Sequence, residues 1–269
     1  MFSIEFLHEI RTAEIQKIVS CFPKGARVLE IGAGTGRQAA EIQELGFKVE
    51  AIEIGSSNYS ADRVFPITDY DGRRIPFPDR SFDVVFSSNV LEHVRNLPDL
   101  HEEIRRVLAP GGICVHVMPT HVWRFWTTLT AFPTSLQHLR IQAAELRKTK
   151  PVTVREIGKV FRILVRMIRI LFGPFVPRRH GERGTWISEL WLFHPRRWRT
   201  HFKQHGFELV RDQPMDLHYT GNLLFGSGRS IVQRTQMAKT YGSACHLFEL
   251  RCARPLQPDA DRMPPNRPA

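Results

Sequence analysis

The chain is poor in the features that mark a secreted, membrane-spanning or metal-binding protein. Its four cysteines, Cys21, Cys114, Cys245 and Cys252, form no C-x-x-C pair and no zinc-like spacing, so they read as ordinary thiols of a reducing compartment. Its twelve histidines are scattered, and no spacing of carboxylate and histidine suggests a ligand set. There is no uncharged apolar run of about eighteen residues or more, the length a spanning helix needs. The opening MFSIEFLHEIRTAEIQKIV mixes Glu5, Glu9 and Glu14 with apolar residues at helical spacing, whereas a signal peptide starts basic and continues apolar. A cytoplasmic protein is therefore expected. No internal repeat is visible.

Charge is abundant but uneven. The 269 residues carry a net charge of +11 and are enough for one principal domain with a sizeable core. Residues 1–139 hold 14 Lys+Arg against 17 Asp+Glu, residues 140–203 hold 16 against 4, and residues 204–269 hold 8 against 6. One quarter of the chain thus carries the whole excess, as a dedicated basic surface or a solvated charged face would.

From 28 to 118 apolar runs alternate with helical patterns, which predicts an α/β fold with a parallel sheet covered on both faces. Strands are expected at 27–31, 48–52, roughly 63–67, 83–87 and 113–118. Helices are expected at about 36–45, briefly after Ser56, and at 99–108, where LAPGG supplies a stop and a turn. HPRRWRTHFKQHGFELV reads as a helix stopped at Gly206 and a strand over 207–212, and ACHLFELRC (244–252) as a last strand. The segment 119–190 does not alternate and contains the basic excess. The tail, 253–269, is rich in proline and charge and is expected to be disordered.

VLEIGAGTGR (28–37) is a strand running into a glycine turn that opens a helix. Gly32, Gly34 and Gly36 let a backbone approach a ligand without a Cβ in the way, and the helix N-terminus favours negative charge. The dinucleotide fingerprint G-x-G-x-x-G fails, because its third glycine position is Arg37. E-x-G-x-G-x-G stands instead, beginning at Glu30. An acid at the strand end suits a ligand with a cationic amino group and no pyrophosphate, such as S-adenosylmethionine. Glu53 ends the second strand 21 residues after Gly32, where a carboxylate can accept both hydroxyls of a ribose.

These residues resemble the class I S-adenosylmethionine-dependent methyltransferases of the bacterial type, and the segment 119–190 resembles that of members acting on surface glycans and their lipid-linked precursors. VLEIGAGTG is similar to their first motif and VEAIEI to their second strand with its ribose-binding acid. DGRRIPFPDRSFDVVFSSNVLEHV (71–94) is similar to the stretch through their fourth strand. LHEEIRRVLAPGGICVHVMPT (100–120) is similar to the helix, turn and fifth strand that follow. The resemblance covers 25–118 well and 190–252 more loosely. It implies a Rossmann-like, seven-stranded, mostly parallel sheet with helices on both faces and an α-helical insertion after the fifth strand. The cofactor-binding core is then 1–118, the insertion 119–190, and the remainder of the core 191–252.

The same resemblance implies S-adenosyl-L-methionine as cofactor, held by Glu30, Gly32, Ala33, Gly34, Gly36, Glu53 and Ile54. Asp71 and Gly72 fall where the family contacts adenine, with Asp69 as a competing choice. Asn89, Val90 and Leu91 should line the cofactor near its sulfur. His93 is a candidate base, although in this family that position more often stabilises the loop. No metal is implied.

In the resembled family the stretch after the fifth strand shapes the acceptor pocket. In VTVREIGKVFRILVRMIRILFG (152–173), Arg155, Lys159, Arg162, Arg166 and Arg169 fall on a stripe roughly 80° wide, and nearly everything else is apolar. Such a helix suits an anionic membrane interface or packs on the domain with its arginines in water. THVWRFWTTLTAF (120–132) lies between Pro119 and Pro133, with Thr120 as a plausible N-cap and Trp123, Phe125, Trp126 and Phe132 as headgroup-depth or lid residues. VPRRHGERGTWISELWLFHPRRW (176–198) adds the base candidates His180 and His194, with Arg178 and Arg179 able to hold a diphosphate.

An O-methyltransferase acting on a glycan or lipid-linked acceptor at the inner membrane surface is the leading expectation. A quinone, lipid or other small-molecule methyltransferase fits the same insertion. An RNA methyltransferase would use the basic segment on phosphates, but the cations sit on a very apolar helix rather than among stacking aromatics. A cofactor-binding regulatory protein is the non-enzymatic alternative. Acceptor and oligomeric state are not legible.

Overall fold

Both faces of the central strands are apolar. Val28, Val84 and Phe86 point to one side, Leu29, Ile31 and Val85 to the other, and all are essentially inaccessible to water. A strand buried on both faces needs helices above and below it, the arrangement that parallel βαβ connections produce. In the computed structural model, which describes residues 4–56, 60–149, 154–222 and 228–253, that arrangement is realised. The strands are β1 (Arg27–Ile31), β2 (Lys48–Ile54), β3 (Thr68–Tyr70), β4 (Phe82–Ser88), β5 (Leu108–Pro119), β6 (Phe207–Pro214) and β7 (Cys245–Cys252). They form one sheet in the order β3-β2-β1-β4-β5-β7-β6. Pairing is parallel except along β7, which is antiparallel to β5 and β6.

Helices α1 (Ile4–Val19) and α2 (Arg37–Glu44) cover one face through Phe6, Ile10, Ile15, Ile18, Ala39 and Ile42. Helices α3 (Leu97–Val107) and α7 (Pro195–Gln204) cover the other through Leu100, Ile104, Trp198 and Phe202. The strand order reverses between β1 and β4, so the crevice at their carboxyl ends is where this architecture holds ligands. The glycine turn after β1 and the turn after β4 meet there.

Between β5 and the last third of the sheet lie α4 (His121–Lys148), α5 (Val154–Phe172) and a short α6 (Glu189–Leu192). Thr120 caps α4, its hydroxyl accepting from Trp123 N at 3.2 Å. Helices α4 and α5 form an antiparallel hairpin, tied by Lys159 to Glu145 at 3.3 Å and by Arg166 to Gln142 at 3.5 Å. Helix α8 (Ile231–Tyr241), which carries a Ser230/Gln233 capping box, leads into β7.

Several expectations are corrected. The third strand is Thr68–Tyr70 rather than 63–67. Pro66 offers no N–H to a ladder, and Val64 N donates instead to Thr35 O at 2.8 Å, bringing Phe65 against Gly36. The brief helix after Ser56 is a 3-10 turn at Ser60–Asp62; residues 57–59 lie outside the described ones. LAPGG is not a free turn. It belongs to β5 and is absorbed as a register shift opposite Phe82 and Val84, with Gly111 at φ 78°. The stretch placed between Pro119 and Pro133 is the first half of a longer helix, which runs through Pro133 to Lys148; the hydroxyls of Thr128 and Thr130 bond back to Arg124 O and Trp126 O. Residues 152 and 153, the Arg155 side chain and the tail from 254 lie outside the described residues.

Candidate active site

The first wall is the glycine turn. Gly32, Gly34 and Gly36 have φ of 72°, 58° and 77°, in the left-handed region that a side chain resists. Close approach adds to this at Gly32, where a Cβ would fall 2.5 Å from Val90 Cγ2. The turn is fixed to β2: Gly32 N and Ala33 N donate to Ile52 O, and Gly34 N donates to Glu53 Oε2 at 2.8 Å. Glu53 Oε1 accepts from Ile54 N at 2.9 Å. The carboxylate at the end of β2 thus sits directly under the glycine turn.

Glu30 faces α2 and is buried. Loss of water pushes its carboxyl up to about 8; the Ala39 backbone N–H opposes this rise and neighbouring Glu53 adds to it. Its Oε2 has no hydrogen-bond partner among the described residues. Helix α2 opens at Gly36 without a hydrogen bond from an N-cap side chain; Glu30 reaches the Ala39 N–H of its first turn, and an anion would be met by the N–H groups before it.

Asp71 is exposed, and its Oδ1 accepts from Arg73 N and Arg74 N at 2.8 and 3.0 Å. These bonds, from Arg74 first, hold its pKa below the usual carboxylate value. Gly72, at φ 74°, lies beside Ile54. Asp69, the competing choice, pairs with Arg63 at 2.5 Å.

The second wall follows β4. Asn89 stands at φ 55°, and its N donates to Val117 O at 2.8 Å. With its amide oriented to match its neighbours, its Oδ1 accepts from Arg11 Nη1 and Nη2 at 2.8 and 2.9 Å. Val90 packs on Gly32, Leu91 is fully buried, and Leu91–His93 make a 3-10 turn.

That turn carries a group the motifs did not single out. The Glu92 side chain is fully buried, and neither carboxylate oxygen has a hydrogen-bond partner among the described residues. Burial pushes it up to about 8. His93 Nε2 lies 3.8 Å and His180 Nε2 3.9 Å from Glu92 Oε1. The two imidazoles meet edge to face with centroids 4.7 Å apart. Burial lowers both, His180 to about 4 with further lowering by His93 and Arg124. Two of the three candidate bases therefore share one cluster. His194 does not join it: it caps α7, with Nδ1 accepting from Arg196 N at 3.1 Å, and stacks on His121 at 4.3 Å.

His180 is delivered by a built loop. Glu189 Oε1 accepts from His180 N and Gly181 N at 2.6 and 2.7 Å. Glu189 is itself paired with the buried Arg124 of α4, Nε to Oε2 at 3.1 Å. Glu182 N donates to Glu92 O at 2.9 Å, and a Cβ at Gly181 would fall 2.8 Å from that carbonyl. Arg178 contributes a backbone carbonyl to Arg124, and Arg179 turns to Glu182. The sequence reading missed Glu92, Arg11 and Arg124, and took Glu189 only as a member, with Glu182, His180 and His194, of a 176–198 cluster able to bind phosphate or sugar hydroxyls. The adjacent pair in LEHV was the only local signal; the rest depend on contacts distant in sequence.

A family model described as a methyltransferase domain matches residues 5–212, through both walls of this crevice. The chain belongs to the methyltransferase-domain family. Among relatives of this methyltransferase-family chain, sterol 24-C-methyltransferase ERG6B of Gibberella zeae is 33% identical over 100 residues, 33% of this chain and 26% of the relative. Demethylmenaquinone methyltransferase of Mycobacterium sp. (strain KMS) is 36% identical over 106 residues, 36% of this chain and 44% of the relative. The chain spans less than half the length of these curated relatives. The solved S-adenosylmethionine-dependent methyltransferase of Aquifex aeolicus aligns with TM-score 0.50 at 13% identity, over 93% of this chain and 98% of that one. A possible histamine N-methyltransferase of Thermotoga maritima aligns with TM-score 0.51 at 15% identity, over 93% and 91%. These structures share the Rossmann-like class I fold. Family and fold together indicate S-adenosyl-L-methionine as cofactor. The crevice fits that group: the orphaned Glu30 oxygen, the α2 N-terminus and the Cβ-free approach at Gly32 are features that a bound ligand would use.

Proposed function

We propose that this chain transfers a methyl group from S-adenosylmethionine to an oxygen of a lipid-soluble or lipid-linked acceptor met at an anionic membrane surface. The observation that supports this reading is the face of α5 left uncovered by α4. Ile163 is buried against the hairpin, whereas Ile157, Phe161, Leu164, Ile168 and Leu171 are each at least 44% exposed. At 100° per residue these five form one apolar stripe. Phe132 of α4 and Phe175, themselves in edge contact at 5.3 Å, add exposed aromatic surface beside the hairpin. Lys159, Arg162, Arg166 and Arg169 are exposed on the other side of α5.

An apolar stripe on a hairpin with a cationic flank suits adsorption to anionic lipid, with the stripe in the acyl boundary and the long cations reaching headgroups. Among the described residues no helix is long and apolar enough to cross a membrane, so the reading is one of lying on a surface. That some relatives carry sterol and demethylmenaquinone names favours a greasy acceptor.

In the proposed reaction the sulfonium supplies an electrophilic methyl, and the chain's part is orientation and proton handling. Glu30, Glu53 and the glycine turn hold the cofactor, with Asp71 and Gly72 beside its adenine. Asn89, Val90 and Leu91 place the methyl at the carboxyl end of β4. A hydroxyl acceptor must lose a proton there, and the Glu92, His93 and His180 cluster is the titratable group at that end.

The test is incubation with radiolabelled S-adenosylmethionine and extracted bacterial lipids, with vesicle co-sedimentation in parallel. Label in an organic-soluble product and sedimentation with anionic vesicles support the reading. Label in RNA without vesicle binding would overturn it in favour of nucleic-acid methylation. Cofactor binding with no transfer to either would favour a regulatory role.

A further inference from the structure

We propose that Glu92, His93 and His180 form a binding site for one divalent metal ion of the zinc type, which takes the acceptor oxygen as a further ligand. The part concerning the acceptor rests on the function proposed above; the metal site does not.

The geometry points to a ligand. One carboxylate and two imidazoles offer ligand atoms that all lie within 4.8 Å of one another. Tetrahedral ligands with bonds of about 2.1 Å sit about 3.4 Å apart, so the two carboxylate–imidazole distances of 3.8 and 3.9 Å would close by roughly half an ångström on metal uptake, and the imidazole pair, within 4.8 Å, by at most about 1.4 Å. A donor set of two imidazoles and one carboxylate suits borderline divalent metals and leaves coordination positions open. His93 and His180 are both partly exposed, so a further ligand could reach those positions from solvent.

The independent observation is Glu92. Its side chain is fully buried, yet neither carboxylate oxygen has a hydrogen-bond partner among the described residues. A polar group buried unpaired is unfavourable, and a cation coordinated by it removes that penalty. The loop that carries His180 is also shaped for this contact. Glu189 grips two of its backbone N–H groups, Arg124 grips Glu189, and Gly181 permits an approach to Glu92 O that a side chain would block. The loop thereby presses the second imidazole against a carboxylate that precedes it by two long helices in sequence.

A cation there would lower the pKa of a coordinated hydroxyl. The O–H proton passes to solvent, and the oxygen lone pair forms the O–CH3 bond as the C–S bond breaks. The bonding pair stays on sulfur, which leaves as a neutral thioether. His93 and His180 then act as ligands rather than as bases.

The experiment is titration of chelator-treated protein with Co2+, read by visible absorption, and with Zn2+, read by calorimetry. S-adenosylmethionine binding is measured on the same samples. The expected result is one equivalent of metal on the parent protein. Glu92→Gln and His180→Ala should each weaken binding by about tenfold or more, while cofactor affinity stays within about twofold and His194→Ala binds metal as the parent does. If Glu92→Gln does not fold, His180→Ala, at a partly exposed position, decides. Absence of stoichiometric binding by the parent, or equal binding by parent and His180→Ala, overturns the site. Failure to bind S-adenosylmethionine would overturn the methyltransferase reading separately and leave the metal result standing.

Discussion

His93 and His180 meet edge to face, 4.7 Å apart, although α3, β5, α4 and α5 all intervene between them in the chain. Their contact joins the turn after β4 to the loop that follows α5. The insertion is therefore part of the crevice as well as a surface feature. Four expectations follow for the rest of the machinery.

Removing the carboxylate under the glycine turn should act on the cofactor. In Glu53→Ala, Gly34 N loses its acceptor and the ribose its expected partner. Hydrogen bonds to a charged group contribute about 1.5–3 kcal/mol, so affinity for S-adenosylmethionine should fall roughly ten- to a hundredfold by calorimetry. Unchanged affinity would move the ribose site elsewhere.

Glu30 should impose a pH dependence on stability. Its folded-state pKa is raised to about 8 by burial, above the ordinary 4.5 of the unfolded chain. Its contribution is thus fully present below about pH 4.5 and lost as pH rises toward 8. Glu30→Gln lacks this titration, so its melting temperature should gain on the parent between pH 5 and pH 8. A constant gap between the two proteins would contradict the buried neutral carboxyl.

A second group of buried residues works in the opposite direction. His101 Nε2 faces His201 Nε2 at 3.0 Å between α3 and α7, and His116 on β5 stacks over Phe202. Burial, aided at His101 by its neighbouring histidines, lowers His101 to about 2; burial lowers His116 to about 3 and His201 to about 3. Unfolded histidines take up protons near pH 6.5 and these do not, so stability present above pH 6.5 should be lost as pH falls toward 3. Thermal unfolding at pH 5 against pH 7 checks this; an unchanged or higher midpoint at pH 5 would count against it.

Glu189 should matter for stability as well as for the loop. Glu189→Ala leaves Arg124 buried without its carboxylate and frees His180 N and Gly181 N. Breaking a buried pair costs about 3–5 kcal/mol, which denaturant unfolding would register. Co2+ binding should weaken in the same variant, because His180 loses its support. A neutral effect on both would mean that the loop is held by other contacts.

The sequence by itself determined the α/β architecture, because strands buried on two faces and glycines at strand ends are local patterns with few alternatives. It likewise determined that Gly32, Gly34, Gly36 and Glu53 belong to one crevice, since a short βαβ unit leaves little freedom in where its loops end. The third strand escaped, because three residues of edge pairing leave almost no periodic signal and Val64 was claimed by the glycine turn. The reach of α4 past Pro133 escaped because a proline ordinarily marks a helix boundary, whereas this helix runs through it to Lys148 and packs on α5. Only the tertiary structure decided which side of α5 is covered: the apolar residues of VFRILVRMIRILF surround most of the helix, and α4 selects the face around Ile163. Only the tertiary structure joined Glu92, His93 and His180. A histidine carries no local trace of the carboxylate it will meet when that contact depends on a distant ion pair, Arg124 with Glu189, holding its loop in place.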